Sequence, residues 1–544
     1  MKQTKLHRLV LSLVILAFGF SPAGGLNAGG LFMRHQRIEG TVKAPDFPAD
    51  LEWLNTDRKY SIKDFNGKLV LLDFWTYCCI NCMHVIPDLK KLEAKYPTEL
   101  VVIGVHSGKF TTEKGTDAIR QALLRYEIKH PVVNDKNFDI WREYGVSAWP
   151  TLVLIDPLGR IIGSHPGEGA FNAFDNSIQE ATRFYEAKGE LKKGPMPLKL
   201  EEEKETPALL SFPGKISADP IKHRLFISDS NHNRVLITDA SGALIDVIGS
   251  GAEGTFDGTF EAAAFHHPQG TVLKGDTLFI ADTENHLIRA AHLKKRTVET
   301  VLGTGRQAMS FNRDGKGTGV ALNSPWDLAI EGNRLFIAMA GSHQIWVADL
   351  NTYYTTPYAG TGQEARVDGP LRRAALAQPS GLSIEGNTLY VADSEVSSVR
   401  SLDLDPRGDV RTLIGEDLFD YGDVDGHSET ARLQHPLGVA AKNGLIYVAD
   451  TYNSKIKVVD PEKRTSVTLV GLGEAGLANG PFERVRFNEP GGLAFLGEKL
   501  YVADTNNHEI RVVDLKTKTV DNLVLSRLEK LKPSKKAVFF SLGH

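Results

Sequence analysis

Cysteine is nearly missing from this chain. Three occur in 544 residues, and all three lie between positions 78 and 82. A disulfide framework elsewhere is therefore excluded, and most of the chain must stand on packing alone. An excess of one charge is missing too. Sixty-three basic residues face 67 acidic ones, a net charge of -4, which gives no electrostatic case for nucleic acid. Beyond the N-terminal segment no apolar stretch approaches the roughly 20 residues that a membrane-crossing helix needs. What is present is ordinary globular composition, 42% hydrophobic. The length exceeds one domain, and two or three are expected.

The N-terminus carries Lys2, Lys5 and Arg8 ahead of a short apolar core, Leu9 to Phe18. A basic start followed by such a core is built like a secretory signal. Residues 1–28 are read as a signal peptide, with a cut after Ala28, or as an uncleaved membrane anchor. Either places the body of the protein outside the cytoplasm, periplasmic or secreted.

Redox chemistry is suggested by residues 73–82, Asp-Phe-Trp-Thr-Tyr-Cys-Cys-Ile-Asn-Cys. The apolar run Leu69 to Leu72 before it reads as a buried strand. Met83 to Lys95 after it reads as a helix with Val85, Ile86, Leu89 and Leu92 on one face. A helix start offers unpaired N–H groups and partial positive charge, which favour thiolate at Cys79. Cys82, one turn on, can close a disulfide with it.

This stretch resembles thioredoxin-like proteins. Asp73-Phe74-Trp75, the pair Cys79 and Cys82, and Pro87 five residues later match that pattern in order. A second match, Gly145-Val146-Ser147-Ala148-Trp149-Pro150-Thr151, stands where the family has a cis-proline. The resemblance implies an α/β sandwich over residues 44–188, with attack by Cys79, resolution by Cys82, a buried acid at Asp73 and substrate backbone paired beside Pro150. Ala44 to Phe47 and Asp117 to Asp135 resemble the extracytoplasmic branch of the group. Three departures stand out: Cys78 replaces the usual Trp, Ile80-Asn81 replaces Gly-Pro, and bulky Trp149 precedes Pro150. The direction of electron flow is left open by them.

Residues 189–207 read as a charged linker, expected to be a solvated spacer. The remainder is a repeat. Prolines recur at 213, 268, 325, 379, 436 and 490, a period of 54 to 57, each opening a unit whose second strand ends Ala-Asp or close to it. Asp257-Gly258, Asp314-Gly315, Asp368-Gly369, Asp425-Gly426 and Asn479-Gly480 each stand 11 residues ahead of a proline. About four short strands in each of six units is the arithmetic of a six-bladed β-propeller over residues 208–525. The unit resembles the NHL repeat, and the whole chain resembles the NHL-repeat-containing protein 2 group. Residues 526–544 read as a basic tail with a short helix.

The fold expected is thus multidomain: an α/β thioredoxin-like sandwich followed by an all-β six-bladed NHL β-propeller. The function expected is an extracytoplasmic thiol–disulfide oxidoreductase. Its propeller would hold a protein client, and a redox partner protein would recycle the pair. The alternatives are a non-catalytic propeller scaffold with a vestigial thioredoxin-like domain, or a propeller enzyme with a channel metal. No cofactor or metal motif is read. Asp229, Asp282, Asp393, Asp450 and Asp504 recur by blade, which argues for a structural role, with Met339 in the sixth place. His232, His286, His343 and His508 are expected in surface loops. Cys78 reads as a packed thiol, with a sensor role or a metal site shared with Cys79, Cys82 and His84 as weaker options.

Overall fold

The computed structural model describes residues 38–309 and 313–531. The expected signal or anchor and most of the basic tail lie outside them. Among the described residues no helix is long and apolar enough to cross a membrane.

The first domain is one seven-stranded sheet with helices on both faces. Its strands are β1 (Val42–Lys43), β2 (Trp53–Leu54), β3 (Leu69–Trp75), β4 (Leu100–His106), β5 (Val132–Asn134), β6 (Thr151–Ile155) and β7 (Arg160–Pro166). Their order is β1-β7-β6-β3-β4-β5-β2. β3 is central, parallel to β4 and antiparallel to β6, and every residue in it is buried. That explains a strand apolar on both faces. Helices α1 (Ile80–Lys95), α2 (Thr116–Arg125), α3 (Asp139–Glu143) and α4 (Phe171–Ala187) complete the domain. α1 starts at Ile80 and not at Met83, because Cys79 takes an extended N-cap conformation (φ −79°, ψ 115°). Both redox cysteines therefore sit at the first turn.

The linker is a solvated spacer only in part: residues 202–207 are exposed, but the stretch before them is held. Glu201 is buried at 2% exposure, paired with Arg120 and Lys204, and its N–H donates to Asn55 Oδ1 at 2.9 Å. Lys192 N–H donates to Gly67 O and Gly194 N–H to Thr98 O. A buried carboxylate needs such partners, so the segment is strapped along the first domain.

Six antiparallel sheets follow. In five of them the inner strand begins with the repeated proline, in the fifth blade it begins at Gly438, two residues after Pro436, and these inner strands pack on one another around the central channel. The residue before each proline, Phe212, His267, Ser324, Gln378, His435 and Glu489, is left-handed with φ between 46° and 61°. The repeated aspartates are structural, as expected. Each accepts from a backbone N–H of its own blade's entry loop, from Ser211, His266, Ala377, Gln434 and Asn488 at 2.6 to 2.8 Å. The other oxygen of Asp282, Asp393 and Asp504 meets a buried arginine seven residues on, at 2.6 to 2.7 Å. Where blade 3 has Met339, the position seven on is Trp346, and both join one apolar cluster. The ion pair has been exchanged as a unit.

The expectation of surface loops fails for three histidines. His286, His343 and His508 accept through Nδ1 the N–H of the residue before the next blade's proline, Ser324, Gln378 and Phe212, at 3.0 to 3.1 Å. Burial drives His286 down to about 3 and His343 to about 4, so the rings stay neutral and can accept. His232 instead joins the Asp229 carboxylate.

Candidate active site at the domain interface

The thiol loop runs from the end of β3 into α1. Cys79 is partly exposed, whereas Cys78 and Cys82 are buried. All three are free thiols, and Cys79 shares a hydrogen bond with Cys82. Cys82 N–H and Met83 N–H both donate to Cys79 O, which fixes the first turn. Burial raises Cys82 well above an ordinary thiol, and the Cys79 hydrogen bond and the nearby Asp73 charge add to this. Asp73 is 2% exposed, and its Oδ1 finds no partner among the described residues. Burial lifts its carboxyl to about 7, with His130 pulling the other way. An acid poised there can take the proton that Cys82 must lose. The Trp149–Pro150 bond is cis, and Trp149 Nε1 donates to Ser107 O at 3.0 Å. All four predicted residues, Asp73, Cys79, Cys82 and Pro150, thus lie at one end of the paired interior strands β3 and β6 and at one helix start.

The propeller covers part of this loop, and the sequence reading did not anticipate it. Gln378, buried in blade 4, grips the loop backbone from both sides. Its Oε1 accepts from Ile80 N–H at 2.9 Å, and its Nε2 donates to Cys78 O at 2.9 Å. Glu489 of blade 6 accepts from Tyr77 OH at 3.1 Å and from Arg125 at 2.9 Å. Lys109 is buried against Glu395 of blade 4. Burial opposes charge on both, yet their mutual attraction holds Lys109 above and Glu395 below its ordinary value. His84 of α1 bonds Glu168 of its own domain through Nδ1 and Ser324 Oγ of blade 3 through Nε2, each at 2.7 Å. Gly341 makes room, since a Cβ there would stand 2.8 Å from the His84 ring. His84 is therefore committed to the interface rather than to a metal site with the cysteines.

Cys78 is packed, at 1% exposure. Burial raises it well above an ordinary thiol, and the Glu113 and Glu395 carboxylates raise it further. Glu113 itself is buried and accepts from Cys78 N–H and Phe110 N–H, both at 2.8 Å. Burial lifts it to about 7.

One signal could have found the gripping residues. Two positions per blade break the repeat: the residue before the proline, and the residue two after the aspartate position. The second set reads Asn231, Glu284, Gly341, Glu395, Tyr452 and Asn506. In a repeat, the positions free to differ are those not used for stacking blades.

The thioredoxin-like family model matches residues 66–161, and the NHL repeat model matches 433–459 and 487–513. NHL repeat-containing protein 2 of Gallus gallus is 43% identical over 532 residues, covering 91% of this chain and 72% of that protein. Protein SUPPRESSOR OF QUENCHING 1, chloroplastic, of Arabidopsis thaliana is 45% identical over 510 residues, 90% of this chain but 48% of that protein. Thiol-disulfide oxidoreductase ResA of Bacillus cereus is 30% identical over 179 residues, 33% of this chain and 99% of that protein. A thioredoxin-like domain whose thiol loop is gripped by a six-bladed NHL propeller, matched along most of its length, makes this chain a member of the NHL repeat-containing protein 2 family.

Proposed function

We propose that the chain is a thiol–disulfide oxidoreductase acting outside the cytoplasm. The observation that carries this is the asymmetry of the pair: Cys79 is partly exposed at a helix start, and Cys82 is buried beneath it beside an acid at about 7. The Cys79 thiolate attacks one sulfur of a client disulfide. That S–S bond breaks, a mixed disulfide forms, and the client's other sulfur leaves as a thiolate. Cys82 then gives its proton to Asp73 and attacks Cys79. The Cys79–Cys82 disulfide closes, the client's second sulfur is released, and two electrons have passed to the client. A redox partner protein reverses the closure. The relationship to ResA supports the chemistry, and the basic, apolar start at residues 2–18 supports the location.

The propeller serves first to hold the enzyme's own loop. Gln378, Glu489 and Glu395 are spent on the thioredoxin-like domain, so a client is met on the remaining surface around Cys79. Coverage of the thiols also favours a second reading, a scaffold in which the pair no longer turns over. Trapping separates the two. In Cys82→Ser, the oxidoreductase reading expects protein adducts that are released by reductant and vanish when Cys79 is also changed. If no Cys79-dependent adduct forms, the scaffold reading stands.

A further inference from the structure

The two repeat-breaking positions of each blade face the thioredoxin-like domain. In blade 1 Asn231 donates to Arg125 O, and in blade 6 Glu489 and Asn506 take Arg125. Blade 3 uses Ser324, and blade 4 uses Gln378 and Glu395. In blade 5 His435 packs on Phe110, and Tyr452 on Tyr77. Blade 2 departs from this scheme. Its two side chains are His267 and Glu284, joined by the adjacent His266, and among the described residues their ring nitrogens and carboxylate bond to one another and to Glu253.

The three ligand-type atoms lie within 4.8 Å of one another. His267 Nδ1 stands 2.6 Å from one Glu284 oxygen, and His266 Nε2 stands 3.1 Å from the other. The backbone beneath them is fixed. His266 N–H donates to Asp282, His267 N–H to Asn233, and Glu284 N–H to His266 O. His267 is 7% exposed, and it and Glu284 line a cavity of about 60 Å³ shared with Tyr77, Met83, Gln269 and Trp326. Nothing in blade stacking requires this set: the position of His267 holds Phe, Ser, Gln, His or Glu in the other blades and that of Glu284 holds Asn, Gly, Glu or Tyr, and no other blade has both His and Glu at the two.

We propose that His266, His267 and Glu284 bind one divalent transition-metal ion, with the remaining coordination open to the cavity between the domains. Two imidazoles and one carboxylate suit zinc, cobalt, nickel or ferrous iron, and do not suit calcium or magnesium, which take oxygen ligands. Zinc bonds of roughly 2.0–2.1 Å put neighbouring tetrahedral ligands about 3.4 Å apart. His266 Nε2 is already close to that distance from Glu284 Oε2, and His267 Nδ1 must open from Oε1 by less than about 1 Å, so Glu284 would close on the ion through both oxygens. The ion displaces the proton shared by His267 and Glu284, which leaves to solvent. Lys90 on α1 opposes the incoming charge, and Glu253 and Glu127 offset it.

Cobalt(II) is the probe, added to the full untagged chain carrying Cys79→Ser and Cys82→Ser so that the redox sulfurs supply no ligand. One equivalent should bind with visible ligand-field bands and no sulfur charge-transfer band, and zinc should displace it. Glu284→Gln and His266→Gln should each weaken binding at least tenfold while circular dichroism matches the parent. His266 sits at the rim, so its variant carries the test if a change at Glu284 disturbs folding. Binding unchanged in both variants, or no saturable site in the parent, overturns the proposal and leaves a hydrogen-bonded His–Glu cluster.

Discussion

Replacing Asp73 by Asn tests the site through stability as well as rate. The carboxyl is buried, its Oδ1 has no partner among the described residues, and burial moves it from 3.8 to about 7. A buried acid whose folded value is raised favours the native state while protonated. That contribution is whole below about 3.8 and falls as pH rises, until it is gone above about 7. A shift of about 3 units corresponds to about 4 kcal/mol. Asn copies the neutral acid and does not titrate. Its stability advantage over the wild type should therefore grow by about 4 kcal/mol between pH 4 and pH 8, whatever constant the amide itself adds. Urea unfolding at several pH values, read from the transition of the first domain, measures this difference of differences. The same variant should close Cys79–Cys82 about 10² to 10⁴ times more slowly, having lost the base beside Cys82. It should also lose the wild-type rise in resolving rate through about pH 7. An advantage that does not change with pH would refute a neutral, desolvated Asp73, and with it the proton path to Cys82.

Three further outcomes follow from the interface and the repeat. Gln378→Ala strands Ile80 N–H and Cys78 O at a buried loop, and should cost about 2–4 kcal/mol in urea midpoints with faster hydrogen exchange at Ile80. Lys109→Met leaves Glu395 buried and unpaired, and should cost about 3–5 kcal/mol, whereas the double change Lys109→Met with Glu395→Leu should recover most of it. Met339→Asp puts a carboxylate against Trp346 and should destabilise by about 3 kcal/mol or more. Adding Trp346→Arg rebuilds the pair seen in blades 2, 4 and 6, and a double-mutant cycle should show favourable coupling of at least about 2 kcal/mol.

The fold was legible because its signals are local or periodic. β3, α1 and the blade prolines each announce themselves within a few residues, and a period near 55 needs no partner to be seen. Asp73, Cys79, Cys82 and Pro150 came from motifs of that kind. The linker was misjudged because Glu201 looks solvated until Arg120 and Asn55, far off in the chain, come to it. His286, His343 and His508 were misjudged because what they hold is the next blade's backbone, and backbone leaves no mark on residue identity. Gln378 stands out as a break in the repeat, but what it holds does not, because its partner Ile80 is 298 residues away.

The repeat also concealed the very positions that carry specificity. An aspartate that recurs in five blades draws the eye, yet its recurrence is the sign that it stacks blades. Residues before the prolines look like noise, as Phe, His, Ser, Gln, His and Glu. Each is fixed in a left-handed turn beside the channel mouth, so each can aim a different side chain from an equivalent backbone. A closed ring of equivalent turns is thereby able to fit an object without sixfold symmetry. At these turns five blades are fitted to the thioredoxin-like domain by hydrogen bonds, ion pairs or aromatic contact, whereas blade 2 meets it through the His286 ring against His84. Blade 2 carries at these positions two imidazoles and a carboxylate turned on one another, a ligand set that suits an ion better than it suits a neighbouring backbone.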